Sequence, residues 1–385
     1  MQNRILGYLK NSYKRMRRYF LMKRKVFLTV LVVALAFSLA FATSPAIGKE
    51  KVLKWKMTST WPPSIDLIRA DYAFVEAANQ LLKGRLQIKF YTGGTLMPSY
   101  EVFDAVSKGT VEAAGDWANY WAGKDPVFDT LGSYPMGMTP MDYFVWIYGG
   151  EGHKIYEEAY GKFGMMYLVT GVTPMECGLR SNKPIRSLED IKGKKIRMSG
   201  QTQGKLLKDL GAAHIAMSGQ EIYQALQKGV IDAAEFCSPS CDWGMGFGEV
   251  TKFWAVPGWH QPASVMGVMI NKKVWDSLGE DLQKDLRLAA KAACVKFFAE
   301  QYYDTIEYTQ KFVDKGIQIT RYDDAVMDKI QTLVNKHTEA TAKNHPLFKK
   351  SIKSQMQFKK DFSKWRAMEA PFTFGFNPKA YPNLD

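Results

Sequence analysis

Three ionisable side chains sit where strands are expected to end, and one of them could grip a carboxylate. Arg197 lies in GKKIRMSG, at the end of a strand expected over 194–198 and just before a helix. A guanidinium there can grip a carboxylate bidentately, beside the positive end of a helix dipole. Glu235 ends a second expected strand, after Ala233 and Ala234, which leave room around it. Glu176 lies in TPMECGL between apolar neighbours. Taken singly, each has an ordinary alternative: a surface arginine, a solvated carboxylate, an acid on a strand edge. Trp61, Tyr120, Trp121, Trp243 and Trp259 could wall a pocket or pack in a core.

Signatures of enzyme chemistry are missing. There is no G-x-S-x-G elbow, P-loop, H-E-x-x-H or well-placed G-x-G-x-x-G. The histidines (His153, His214, His260, His337 and His345) are scattered. Cys177, Cys237, Cys241 and Cys294 have no zinc-site spacing. Cys237 and Cys241 flank Ser-Pro-Ser, close enough for a small loop disulfide. The other reading is four buried thiols.

The first 42 residues read as an export signal. Residues 1–25 carry nine Lys or Arg and no acid, and 26–42 is apolar apart from Thr29 and Ser38. That run ends in Ala40-Phe41-Ala42, an A-x-A cleavage pattern before Thr43. At 17 residues it reaches the lower limit of a membrane span, so an uncleaved anchor is the alternative. Met22-Lys23-Arg24-Lys25 has the form of a signal start. Without the nine leader cations, the formal charge of +14 falls to +5. The basic excess therefore belongs mostly to the leader, and nucleic acid is not an expected partner. A mildly basic exported protein is consistent with an anionic ligand.

The elements that must position these residues follow an α/β pattern. Residues 51–58 alternate as a strand, 65–82 have helical spacing up to Gly84, and 86–91 form a second strand, a βαβ unit. Residues 102–116 (VFDAVSKGTVEAAGD) are echoed by 222–236 (IYQALQKGVIDAAEF), 120 positions later. Each copy reads as a helix end, a Lys-Gly stop and a short strand, expected over 110–114 and 230–234. Two like half-units suggest two lobes and a cleft. Residues 163–180 are expected to cross into the second lobe, and 263–271 to return as a strand. Lobe I is expected to hold mainly 43–170 and lobe II mainly 171–262. Residues 263–385 should supply the return strand, a long helix over about 282–313 and C-terminal helices packing on both lobes. That long apolar-faced helix either backs one monomer or pairs with a second subunit.

TSTWPP, VFDAVSKGTVEAA, GKDPVF, IKGKKIRMSG, IYQALQKGVIDAAEF and VPGWHQP, in this order, resemble the solute-binding proteins of TRAP (tripartite ATP-independent periplasmic) transporters. The resemblance spans essentially the whole chain after the leader. It is nearest to the branch that binds 2-oxo and 2-hydroxy monocarboxylates with a cation.

The resemblance implies a two-lobed periplasmic binding protein that closes on its ligand and delivers it to membrane permease subunits. Arg197 would bind the substrate carboxylate, with Glu176, Trp61, Tyr120 and Phe236 completing the substrate contacts. Glu176, Glu235, Gln261 and the Phe236 carbonyl would hold calcium or sodium, since oxygen ligands suit a hard cation. Relatives carry Gln at the first of these positions and Glu at the third. The order is reversed here, and the number of carboxylates is unchanged. The long helix resembles a segment that some members exchange in a dimer. Pro174, Arg180 and His260 depart from the branch. Arg180 either supplies a second cationic contact, favouring a dicarboxylate or a larger acid, or lies exposed, the preferred reading. An exported metal-assisted lyase or hydrolase on the same scaffold is the alternative.

Overall fold

The computed structural model describes residues 7, 10, 13–30, 52–217 and 219–373, in two units, Met1–Lys51 and Val52–Asp385. In the first unit, residues 13–30 are helical. Residues 26–30 of the apolar run belong to that helix. The rest of the run and the Ala40-Phe41-Ala42 pattern lie outside the described residues. No helix among the described residues is long and apolar enough to cross a membrane.

In the second unit, eleven strands among the described residues form two sheets. They are β1 (Leu53–Ser59), β2 (Leu86–Phe90), β3 (Ala113–Trp117), β4 (Met165–Val172), β5 (Leu179–Ser181), β6 (Lys195–Arg197), β7 (Ala213–Ile215), β8 (Ala233–Ala234), β9 (Phe253–Val256), β10 (Val265–Asn271) and β11 (Gln318–Arg321). The first sheet has the order β2-β1-β3-β10-β4, the second β11-β9-β5-β8-β6-β7. In the first βαβ unit, helix Arg69–Leu81 joins β1 to β2 and buries Ala70, Ala73, Phe74 and Ala78, one face at helical spacing.

The chain passes between the sheets three times. It leaves the first after β4, returns between β9 and β10, and crosses again through helix Glu280–Asp314 into β11. This is a two-lobed α/β fold with multiple crossovers. The 35-residue helix Glu280–Asp314 extends about 50 Å. It packs on helix Arg69–Leu81, on β4 and on helix Pro239–Gly244, so it backs both sheets. Its Phe297 joins the cluster of Trp61, Trp117, Cys237 and Cys241, while Phe312 joins that of Ile222, Phe247 and Trp254.

The echoed segments occupy equivalent places. Helix Val102–Lys108 ends at Gly109 (φ 78°) and leads to β3, which lies parallel to β1. Helix Gly219–Gln227 is followed by Gly229 (φ 69°) and β8, which lies parallel to β6. Each stop needs the left-handed backbone that glycine adopts at little cost. Ala114 pairs with Thr58 and Ala234 with Arg197. Arg197 thus stands in the second sheet where Thr58 stands in the first.

Two strands begin three residues later than expected. The strand expected over 110–114 begins at Ala113, and that expected over 230–234 is only Ala233–Ala234. After each left-handed glycine the chain needs three residues to turn before it can pair. The helix expected from Ile65 opens as a 3-10 turn, Asp66–Ile68, and becomes α-helical at Arg69.

Candidate functional site

Four strand ends bring the site together. Parallel pairing of Arg197 with Ala234 sets Glu235, the next residue, beside Arg197. Glu176 lies on the segment between β4 and β5, and Gln261 on that between β9 and β10. Backbone hydrogen bonds tie these segments: Cys177 N–H donates to the Cys237 carbonyl at 2.9 Å, and Glu176 N–H to the Gln261 carbonyl at 3.4 Å. Gly258 permits the closest approach, since a Cβ there would lie 2.1 Å from the Glu176 carbonyl oxygen.

Both carboxylates are buried and are held in the same way. One oxygen of each is tied by protein donors. Glu235 Oε1 accepts from Arg197 Nη1 and from Ser199 N–H, both at 2.6 Å. Glu176 Oε1 accepts from Ser264 Oγ at 2.7 Å. The second oxygens converge. His260 Nε2 lies 3.2 Å from Glu176 Oε2 and 3.4 Å from Glu235 Oε2. The Gln261 amide faces the same two oxygens. With its nitrogen inward it donates to both, at 3.2 Å for Glu235, and with its oxygen inward it makes a third converging oxygen.

Arg197 is 4 % exposed, and most of its donors go to protein. Besides the Glu235 carboxylate, Nη1 donates to the Glu235 carbonyl at 2.7 Å, and Nε to the Met217 carbonyl at 3.3 Å. The guanidinium carbon stands 5.5 Å from the centre of the Phe236 ring.

Charge is shared unequally across the cluster. Burial and then the nearby Glu235 carboxylate push Glu176 upward, against the hydrogen bond from His260. Burial also opposes ionisation of Glu235, but Arg197 and His260 outweigh it and hold that carboxyl below its ordinary range. Burial disfavours the charged form of His260, yet the two carboxylates raise it to about 9. The cluster therefore favours positive charge at its centre.

The other candidates divide between cleft and core. Trp61 and Trp117 are buried in one cluster, with Phe236 and Tyr120 partly buried against it. The Tyr120 ring meets Trp117 edge-on at 5.0 Å and Tyr100 at 5.5 Å. Trp121 belongs to the first-lobe core, donating to Asp116 Oδ1 at 2.6 Å. Trp243 packs edge-on against Phe312, and Trp259 edge-on against His260.

Arg180 is a correction. It is not exposed: its exposure is 0 %, and its guanidinium lies 3.9 Å from the rings of both Trp254 and Phe312. Nε donates to Asp242 Oδ2 at 2.8 Å, and Asp242 Oδ1 accepts from Cys237 N–H at 3.0 Å. Arg180 thus braces the segment that carries Glu235 and Phe236. Its charge had to be neutralised on burial, and its partner lies 62 residues away, beyond any local pattern. All four cysteines are free and buried.

Sequence reasoning also missed His260, Ser199 and Ser264 as site residues. The one available signal was the unusual His beside Gln261 in VPGWHQP. The residues present fit a cation. Glu176 Oε2, Glu235 Oε2 and the Gln261 amide oxygen can face a common point, while the remaining carboxylate oxygens are anchored behind them.

A model of the bacterial extracellular solute-binding proteins, family 7, matches residues 58–344. The chain is 28 % identical over 351 residues to a monocarboxylate 2-oxoacid-binding periplasmic protein of Nostoc sp., covering 89 % of this chain and 96 % of that protein. It superposes with TM-score 0.79 on a TRAP transporter solute-binding protein of Bordetella bronchiseptica, at 27 % identity, covering 84 % of this chain and 96 % of that one. That structure is a mixed-occupancy dimer with copurified calcium and picolinate in its active site. A TRAP periplasmic solute-binding protein of Pseudoalteromonas atlantica, with bound sodium and pyruvate, also superposes at 0.79. It is 27 % identical, and the match covers 85 % of this chain and 100 % of that one.

Proposed function

The chain belongs to the bacterial extracellular solute-binding proteins, family 7, as a TRAP-transporter solute receptor, and we propose that its solute is a small 2-oxo or 2-hydroxy monocarboxylate such as pyruvate or lactate, taken up with a cation. The convergence of Glu176 Oε2, Glu235 Oε2 and Gln261 beside Arg197 carries this reading. In two relatives whose structures superpose with TM-score 0.79, calcium accompanies picolinate and sodium accompanies pyruvate.

Glu176, Glu235, Gln261 and the Phe236 carbonyl would hold the ion. A cation there supplies the positive charge that lets an anionic carboxylate approach two buried acids. Arg197 fixes Glu235 and presents its remaining edge toward the carboxylate. Trp61, Tyr120 and Phe236 shape the apolar wall. Closure about the crossover segments then buries the solute between lobes made mainly of 43–170 and 171–262.

On this reading residues 1–42 direct export and are removed, and the receptor works in the periplasm without catalysis, delivering solute to its membrane permease. The long helix leaves Val295, Tyr303 and Ile306 exposed, the face through which a homodimer would form.

Mass spectrometry of small molecules released from the purified protein tests this assignment. A 2-oxo or 2-hydroxy acid recovered near one equivalent is expected. Recovery of a sugar or amine instead would contradict it, and conversion of an added acid into product would favour the metal-assisted enzyme.

A further inference from the structure

We propose that His260 is itself a ligand of the cation site, and that the centre therefore prefers a borderline transition divalent ion, such as zinc or cobalt, over calcium or sodium. This rests on the assignment of Glu176, Glu235 and Gln261 as the cation site, and it changes which ion that site takes.

Geometry is the first ground. One ligand atom each from Glu176, Glu235 and His260 lies within 4.8 Å of the others. Nε2 stands 3.2 Å and 3.4 Å from the two converging carboxylate oxygens, and the Gln261 amide stands 3.2 Å from Glu235 Oε2. An ion with tetrahedral bonds of about 2.0–2.1 Å spaces its ligands about 3.4 Å apart. One ion can therefore touch the imidazole and both carboxylates with little movement, displacing to solvent the proton that Nε2 shares with them.

Confinement is the second. His260 is fully buried, and its ring lies edge-on to Trp259 at 5.9 Å. Its backbone carbonyl accepts from the buried Gln203 Nε2 at 3.2 Å. The ring is buried at the centre, with Nε2 between the carboxylates and Nδ1 without a hydrogen-bond partner. An ion entering between the carboxylates must meet Nε2.

Donor chemistry is the third. Imidazole suits zinc, copper, iron and nickel, whereas calcium and magnesium take oxygen. A nitrogen at this point is a donor that a hard cation binds poorly, and it completes a mixed N,O set for a borderline ion. The tied oxygens, Glu235 Oε1 on Arg197 and Ser199 and Glu176 Oε1 on Ser264, supply the orienting contacts that such sites use.

The test strips the full chain with chelator and titrates it separately with cobalt, zinc and calcium, following the visible d–d bands of cobalt and the heat of each addition. Zinc and cobalt are expected to bind at least about 100-fold more tightly than calcium, with cobalt giving the intense bands of a low-coordinate N,O site. His260→Asn and His260→Gln, checked for folding by circular dichroism, are expected to weaken zinc and cobalt at least about tenfold and to change calcium less than about threefold. Calcium binding as tight as zinc, or a zinc-to-calcium ratio unmoved in both variants, overturns the role of His260 and leaves the oxygen site standing. Failure of every ion to bind the unaltered protein overturns both.

Discussion

Arg197 and Glu235 form one buried unit. Nη1 of Arg197 donates to Glu235 Oε1 at 2.6 Å and to the carbonyl of the same residue at 2.7 Å, and both side chains are 5 % exposed or less. Arg197 is therefore part of the frame of the proposed cation site as well as a candidate for the solute carboxylate. Arg197→Ala leaves a buried carboxylate without its counter-charge, which costs about 3–5 kcal/mol. Both cation and carboxylate affinity are expected to fall in calorimetry. Loss of carboxylate binding with cation affinity intact would limit Arg197 to the solute.

Arg180 works from behind the site. Its pairing with Asp242, and that residue's bond to Cys237 N–H, hold the chain just past Glu235 and Phe236. Arg180→Ala is expected to lower stability to urea by about 3–5 kcal/mol. It should leave the ratio of monocarboxylate to dicarboxylate affinity unchanged, because the guanidinium lies between Trp254 and Phe312. A change in that ratio would place Arg180 in the cleft.

Much of this was legible in the sequence, and the reasons differ by residue. The Lys-Gly stops at Gly109 and Gly229 are local backbone requirements, so the echo located helices and strands in both lobes. Arg197 and Glu235 were visible because strand ends and small neighbours are local signals. Burial of Arg180 depended on Asp242, Trp254 and Phe312, which only the second sheet's assembly brings to it. His260 is legible in VPGWHQP only as a departure from the branch. Its meaning depends on Glu176, 84 positions earlier and on a different crossover.

Asp129 links elements of both lobes and should give the chain a pH dependence. Its Oδ2 accepts from Thr202 Oγ1 at 2.8 Å and Thr202 N–H at 3.3 Å. Burial, partly offset by those bonds, pushes its carboxyl up to about 6. The folded chain then holds the proton more tightly than the unfolded chain. The contribution is full below about pH 4 and is lost as pH rises through about 6, a change on the order of 3 kcal/mol. Asp129→Asn keeps the acceptor and removes the titration. Urea unfolding between about pH 4 and 7 should show a flatter profile for the variant than for the unaltered chain. Parallel profiles would contradict the shift.

The most direct measurement of the central claim is titration calorimetry of the chelator-treated chain with pyruvate and lactate, before and after calcium is restored. Saturable binding at one site is expected with the ion present, at least about tenfold weaker without it, and with no product formed. Equal affinity in chelator, or no binding of either acid under both conditions, would contradict a cation-assisted carboxylate receptor.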